Sequence, residues 1–530
     1  MLSLPAITLV ATTLAQPAER PWWHDAVFYE VFVRSFADSA EGPLANDGVG
    51  DFAGLTAQLD YLNDGDPTTP TDLGVNALWL MPIAESPSYH GYDIVDYKAV
   101  DREYGTPEDF RAFTDACHER GIRVIVGLVL NHSSSRHPWF IEALGDPQSP
   151  RRGWYTWSDT DPGYRGPWGQ QVWHPSDRDG SGPFYYACFY RGMPDLNLTN
   201  PEVTAELREI ARFWIEDMGV DGFRLDAIKH LIEDGPIQEN TQATIDWLEG
   251  FNAYCKSLKP DFFGVGEVWS STDQVKRYIP GAVDTAFEFD LAQSIIDALN
   301  SGDATVLEAR LRTVLDAYGT PVATFLTNHD QARVMTQLGG DERKAKAAAS
   351  LLLTLPGVPF IYYGEEIGHT GSKPDPNIRT PMQWDADGSG FTAGTPWRAP
   401  QPDAAWANVR DQRSRPGTLL DHYRRLIDLR RTNGAIRGGS TALLDPAEPA
   451  LVSFVREDAA GNRALVIVNT GGESIGWYAV PLDRPVPPGP LREVGGNPRP
   501  FGSLSDDRAT FRGGGIRPYE CFVIGLPGGG

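Results

Sequence analysis

The chain has 530 residues, 41% apolar and 22% charged, enough for one large core of roughly 250 to 400 residues with one or two smaller units beside it. No apolar run approaches the roughly 20 residues that span a bilayer. The formal charge of −25, with no local Lys/Arg cluster to offset it, argues against nucleic-acid phosphates and anionic lipid as partners. A neutral substrate is expected, and 15 Trp and 19 Tyr supply rings suited to stacking on sugars or to packing a core.

In chain order, residues 1–18 (MLSLPAITLVATTLAQPA) are apolar and end in small residues before Glu19, like the core and cleavage site of a signal peptide without its basic start. Residues 1–20 are therefore expected to be signal-like or disordered. The protein is expected to be secreted, periplasmic or at the cell surface, and cytoplasmic if this segment is not a signal. Short runs rich in Val, Ile, Phe and Tyr then alternate with helical patterns. They lie at 26–33, 77–83, 123–131, 222–227, 262–269, 285–290, 323–328 and 359–366. Eight such strands predict an α/β fold, a (β/α)8 TIM barrel over 21–132 and 201–435. The third-to-fourth step is about twice the usual length, so 133–200, rich in Trp, Tyr, Gly and Pro, is expected to form a small irregular subdomain beside the barrel's C-terminal face. After a helical pattern at 418–433, alternating strand-like runs separated by Gly/Pro turns predict a C-terminal β-sandwich over 436–530. Cys117, Cys188, Cys255 and Cys521 have no metal-type spacing and read as free buried thiols.

Catalytic groups of such barrels project from strand C-termini. Here those positions hold Asn131 and His132, Arg224 and Asp226, Glu267, and Asn328, His329 and Asp330. Two carboxylates on neighbouring strands suit retaining glycoside hydrolysis, in which one attacks the anomeric carbon and the other protonates the leaving oxygen and later activates water. Arg224, two residues before Asp226, points the same way along a strand and would keep that carboxylate ionised. Glu267, beside Val265, Val268 and Trp269, has neighbours able to raise its pKa by desolvation. Any one strand-end carboxylate could be a buried salt-bridge partner, but three at matching ends point to a site.

GLVLNH (127–132), GFRLDAIKH (222–230), GEVW (266–269), FLTNHD (325–330), GVPFIYYGEEIG (357–368) and MPDLN (193–197) together resemble glycoside hydrolase family 13, the α-amylase family, from about residue 21 to 527. The resemblance implies Asp226 as nucleophile, Glu267 as acid/base and Asp330 as transition-state stabiliser. It also implies that Tyr92, Asp93, His132, Arg224 and His329 line the subsite of the attacked glucose. MPDLN is similar to the marker of the intermediate subfamily between oligo-1,6-glucosidases and neopullulanases. IRTPMQWD (378–385) resembles exo-acting glucosidases and trehalose synthases, in which Arg379 would pair with Asp93. The third-strand motif normally opens with aspartate. Here that position is Gly127, so Arg224 is expected to be looser or to be met by a bridging water.

The family also implies structural Ca2+, which favours oxygen ligands. One site would use Asn131, Asp195 and the His230 carbonyl. A second, in the expanded loop DSAEGPLANDGVGD (38–51), would use Asp47, the Val49 carbonyl and Asp51, with Asp38 as a further ligand. The leading expectation is hydrolysis of α-1,4-linked glucans and maltooligosaccharides in the manner of an α-amylase. The alternative is an exo-acting α-glucosidase or oligo-1,6-glucosidase, or a transglycosylating enzyme such as a trehalose synthase. A non-catalytic homologue on the same barrel would lack the carboxylates, and all three are present.

Overall fold

The computed structural model describes residues 20–527 except 178, 179, 181, 320, 389 and 500, so the signal-like segment lies outside the described residues. Eight parallel strands form one sheet: β1 (Phe28–Val31), β2 (Ala77–Leu80), β3 (Arg123–Leu128), β4 (Gly222–Leu225), β5 (Phe263–Gly266), β6 (Thr285–Ala286), β7 (Ala323–Phe325) and β8 (Val358–Tyr362). A parallel bridge from Phe287 to Ala323 joins β6 to β7 and closes the barrel. Alternate residues face inward. Phe28, Ala77, Trp79, Phe263, Val265 and Phe360 fill the interior, while Tyr29, Leu78, Leu80, Val124 and Val126 pack outward with the helices. Both faces are buried, which is why these strands read as near-continuous apolar runs. Gly222 lets β4 approach β5, since a Cβ there would stand 2.0 Å from the Phe263 carbonyl oxygen.

The helix Pro107–Glu119 shows how the shell assembles. Thr106 and Asp109 form a capping box, proline occupies the first turn, and Phe110, Phe113, Thr114 and Cys117 bury one face at helical spacing. The run 285–290 behaves differently from a continuous strand. Its end starts a helix, Phe289–Ser301, whose buried Phe289, Ala292, Ile295, Ile296 and Leu299 follow the 3.6-residue period.

The segment 133–200 is more regular than its composition suggests. It holds a helix (Pro138–Gly145), a 3-10 turn (Pro150–Trp154) and a three-stranded antiparallel sheet of Trp157–Ser158, Phe184–Tyr186 and Trp173–Pro175. The bridge His132–Asp195 stitches it to the barrel rim, and Tyr155–Leu196 closes the segment on itself. At the C-terminus, a five-stranded and a three-stranded antiparallel sheet enclose Leu451, Leu465, Ile467, Val480, Phe511 and Phe522. The outer face of the larger sheet, with Val452, Phe454, Val466 and Val468, joins the barrel's core. Strand Arg463–Asn469 is therefore buried along its whole length, one face in each core. The four cysteines are free; Cys117, Cys188 and Cys255 are buried and Cys521 is partly exposed.

Behind the C-terminal end of β8, Glu365 is 3% exposed. Its Oε1 accepts from the Tyr423 hydroxyl at 2.7 Å, and its Oε2 has no partner among the described residues. Burial pushes its carboxyl up to about 8. The folded protein thus keeps a proton that the unfolded chain releases near the usual value of about 4.3. The folded state consequently loses stability as pH rises from that value towards about 8. Glu365→Gln removes this penalty. Its Tm gain over the parent, measured by calorimetry, is expected to be larger at pH 8 than at pH 5; an equal change at both would overturn the assignment.

Candidate active site

At the C-terminal end of the barrel a cavity of about 290 Å3 is lined by Tyr92, His132, Asp226, Glu267, Asp330 and Arg379, with His90, Phe189, Met193, Ala227 and Asp375 completing the wall. Strands β4 and β5 place Arg224 and Glu267, and the turn after β4 places Asp226 beside them. Arg224, 1% exposed, donates through Nη1 to Asp226 Oδ1 and through Nη2 to Glu267 Oε2 at 2.7 Å. The same Glu267 oxygen accepts from the Ala227 backbone N–H at 2.9 Å. Ala227 sits in the left-handed region at φ 47°, a conformation costly for a residue with a Cβ, and it turns this N–H toward the carboxylate.

The sequence anticipated a pairing of Arg224 with Asp226; its second bond, to Glu267, comes from the parallel register of β4 and β5. Nor is the guanidinium loose. Two carboxylates fix it, and it lies 5.1 Å from the Trp79 ring centroid. Burial raises the Glu267 pKa, and Asp226 and Asp330 add to the rise against the pull of Arg224.

Across the cavity, His329 is held from two sides. Its Nδ1 donates to Glu30 of β1, and its Nε2 lies 3.2 Å from Asp330 Oδ2 and 2.5 Å from the Tyr92 hydroxyl. Burial would lower this imidazole, but Asp330 and Glu30 outweigh it and raise it to about 9. The ring is therefore a cation at neutral pH. Burial also opposes ionisation of Asp330, yet the His329 charge, with Arg379 and Arg224, holds its carboxyl well below the usual range. His132 is the opposite case. Burial lowers it to about 4, and the neutral ring donates from Nε2 to the Tyr92 carbonyl at 3.2 Å.

One expected contact is replaced. Arg379 does not reach Asp93: its Nη2 bonds Asp330 Oδ1 at 2.8 Å and lies 3.3 Å from Asp375 Oδ2, while its Nε donates to the His329 carbonyl at 2.9 Å. Asp93 instead accepts from the hydroxyls of Ser86, at 2.9 Å, and Ser88. The physical reason is local. Two serines within seven residues supply short donors, and Asp375, one helical turn before Arg379, competes for the guanidinium. Glu30 and Asp375 were missed by sequence reasoning. Glu30 had a signal, a lone charge inside the apolar run AVFYEVFV; Asp375 had none.

The metal-ligand candidates divide in two. Asn131 Nδ2 donates to Asp195 Oδ2 at 2.8 Å, Cys188 N donates to Asp195 Oδ1 at 2.9 Å, and Asn131 Oδ1 is buried without a partner. Burial and the neighbouring Glu233 push the Asp195 carboxyl well up, as expected of oxygens that lack a counter-charge. This oxygen-donor set fits a hard cation. His230 faces the Gln238 carbonyl through Nδ1 at 2.9 Å and packs against Phe189 and Trp168. In the loop 38–51 the carboxylates are held by donors of this chain. Asp38 accepts from Asn46 N, Gly48 N and the Thr392 hydroxyl; Asp51 caps a helix through Gly54 N and accepts from Ser39; Asp47 accepts from Val49 N. Backbone and hydroxyl donors thus hold these carboxylates, as Asn131 and Cys188 hold Asp195. Among the described residues, no group of three or more His, Cys, Asp or Glu is gathered round a common point.

A second cavity, of about 260 Å3, shares Phe189, Ala227 and Glu267 with the first and continues along Trp168, Lys229, His230 and Trp269. Trp168 and Trp269 are 60% and 49% exposed; Trp269 stacks on Phe289 and Trp168 packs on Phe189 and His230, and each leaves ring surface open to a ligand.

The description "Alpha amylase, catalytic domain" matches residues 30–439 of this chain. Alpha-amylase 3 of Dictyoglomus thermophilum is 40% identical over 445 residues, covering 82% of this chain and 83% of that protein. Oligo-1,6-glucosidase of Parageobacillus thermoglucosidasius is 30% identical over 551 residues, covering 87% and 92%. Among solved structures, the alpha-amylase from H. orenii superposes with a TM-score of 0.82 at 38% identity, covering 94% of this chain and 99% of that one. With the closed barrel and the matched catalytic region, these similarities place the chain in the α-amylase family of glycosidases.

Proposed function

We propose that the protein hydrolyses α-1,4-glucosidic bonds of starch-type glucans and maltooligosaccharides with retention, as a member of the intermediate subfamily. The observation that carries this reading is Glu267 shared between two adjoining cavities, so that a chain can extend beyond the bond being cut.

Asp226, aimed by Arg224, attacks the anomeric carbon while Glu267 gives its proton to the departing glycosidic oxygen. The C–O bond breaks, the leaving sugar departs with that proton, and the glucosyl unit is held as an ester on Asp226. Glu267, now a carboxylate, takes a proton from water as the water oxygen attacks the same carbon, and Asp226 leaves as a carboxylate. Asp330, kept ionised by His329 and Arg379, accepts sugar hydroxyls and gains most when the ring flattens and becomes positive. Tyr92 supplies a stacking face, and His132 a neutral polar edge.

A product time course tests the reading. Starch and maltohexaose are expected to yield mixed maltooligosaccharides early. Glucose as the sole early product would favour exo action, the reading that the stretch IRTPMQWD (378–385) supports.

Ca2+ is proposed at the junction of barrel and inserted segment, where Asn131, Asp195 and the His230 carbonyl would hold it, with the loop 38–51 as the second candidate through Asp47, the Val49 carbonyl, Asp51 and Asp38. When bound there it would neutralise Asp195 and tie the two parts together. Chelation is expected to lower Tm and added Ca2+ to restore it, while Asp195→Asn is expected to abolish the response; an unchanged Tm sinks the assignment.

A further inference from the structure

A cleft of about 220 Å3 on the barrel shares no lining residue with the active-site cavity. Met335 follows β7 and Ile367 follows β8, so the two connections that carry Asp330 and Arg379 into the active site also build this cleft. Its base is apolar: Met335, Ile367 and Leu419 are each no more than 2% exposed. Trp406, which follows the 3-10 turn Pro402–Ala405, lines the cleft and is 49% exposed. Gly368, at φ 80°, brings bare backbone to this corner. A Cβ there would meet Met335 Cε at 2.6 Å, Leu419 Cδ2 at 3.4 Å and Trp406 Cζ3 at 3.6 Å. The six-membered edge of the indole is thus seated against the base, and no aromatic ring among the described residues stacks on its face.

Polar groups of both signs line the same cleft. Arg415 makes no hydrogen bond or ion pair through its side chain among the described residues. Glu342 pairs with Lys346 through Oε1 at 2.6 Å. Asp411 accepts from Asn408 through Oδ2 at 3.0 Å, with Arg410 3.8 Å from Oδ1. Each carboxylate therefore keeps one oxygen without a hydrogen bond.

We propose that this cleft is an auxiliary binding site for an α-glucan chain, with Trp406 as the platform for one glucose ring. A sugar offers an apolar C–H face and a rim of hydroxyls that both donate and accept. The face fits the open indole, and the hydroxyls fit a guanidinium and two carboxylates at once. Other occupants fit worse. A small anion or cation would meet groups of its own sign, and an apolar peptide anchor would desolvate Arg415 and the carboxylates without giving them partners. A polymer held here stays near the active site when its cut end is released, which raises its effective concentration there. The inference rests on the reading of the substrate as an α-glucan and adds a second point of attachment to it.

Retention by amylopectin in native affinity electrophoresis tests the site, on the Asp226→Ala background so that the polymer stays uncut. Trp406→Ala is expected to raise the dissociation constant about fivefold or more, Trp406→Phe to recover much of the loss, and Arg415→Ala to weaken retention in part. Arg415 is exposed and unbonded, so its removal does not threaten the fold. Trp477→Ala, which removes an 80% exposed indole outside the cleft, is expected to change nothing. In the active protein, Trp406→Ala should raise KM on amylopectin about fivefold while kcat/KM on maltotriose stays within about twofold. Retention unchanged in both Trp406→Ala and Arg415→Ala, an equal loss in Trp477→Ala, or an equal fall in activity on maltotriose would each overturn the proposal. Retention that depends on Trp406 in a protein that cleaves no α-1,4 bond would leave the site standing and overturn the activity instead.

Discussion

Replacing Asp226 with alanine is expected to lower kcat on maltooligosaccharides by about 10^4-fold or more, because no other group can then form the glucosyl ester. The fold should survive, since Asp226 is a small side chain at a cavity wall and Arg224 keeps Glu267 as a partner. The stereochemistry of rescue makes the test specific. Azide entering the space left by the carboxylate attacks from the nucleophile's side, so α-glucosyl fluoride should give the β-glucosyl azide. Absence of rescue with near-normal hydrolysis would remove Asp226 from the reaction.

Glu267→Ala is expected to cost about 10^2- to 10^4-fold on glucans, the span typical of positioned general acid–base catalysis. The loss should depend on the leaving group. A substrate whose leaving group needs no proton, such as α-glucosyl fluoride, should still form the ester on Asp226 and then stall, because no base remains to activate water. Azide should release the stalled ester as the α-glucosyl azide, the opposite anomer to that from the Asp226 variant. The alkaline limb of kcat/KM on glucans should disappear with the carboxyl, since the raised Glu267 group is the acid it reports. An equal loss on both substrate types, or a retained limb, would assign the proton to another residue.

These outcomes depend on a site only part of which was legible along the chain. Strand-end position singled out Asp226, Glu267, His329 and Asp330, which the structure brings to one end of the barrel, and alternation put Arg224 on the side of Asp226. The second bond of Arg224, to Glu267, follows from a register between strands 43 residues apart in sequence, which no local pattern encodes. The charge on His329 is of the same kind. It needs Glu30 from β1, 299 residues away, to outweigh burial. The expected Asp93–Arg379 pair failed for a related reason: both residues were in place, but Ser86, Ser88 and Asp375 were nearer partners.

What the sequence by itself determined was the alternation of strands and helices, the long third-to-fourth step, the shift to a β-rich end and the ordered carboxylates. These rest on period, length and residue type, which are properties of neighbouring residues. The end of the sixth strand was misread because a buried helix start and a buried strand are equally apolar over a few residues. Only the tertiary structure decided which charges meet. A carboxylate's pKa and partner are set by burial and by groups arriving from other strands, so the raised pKa of Glu267, the ionised Asp330 and the unmet Nε of Arg224 exist only once the barrel has closed.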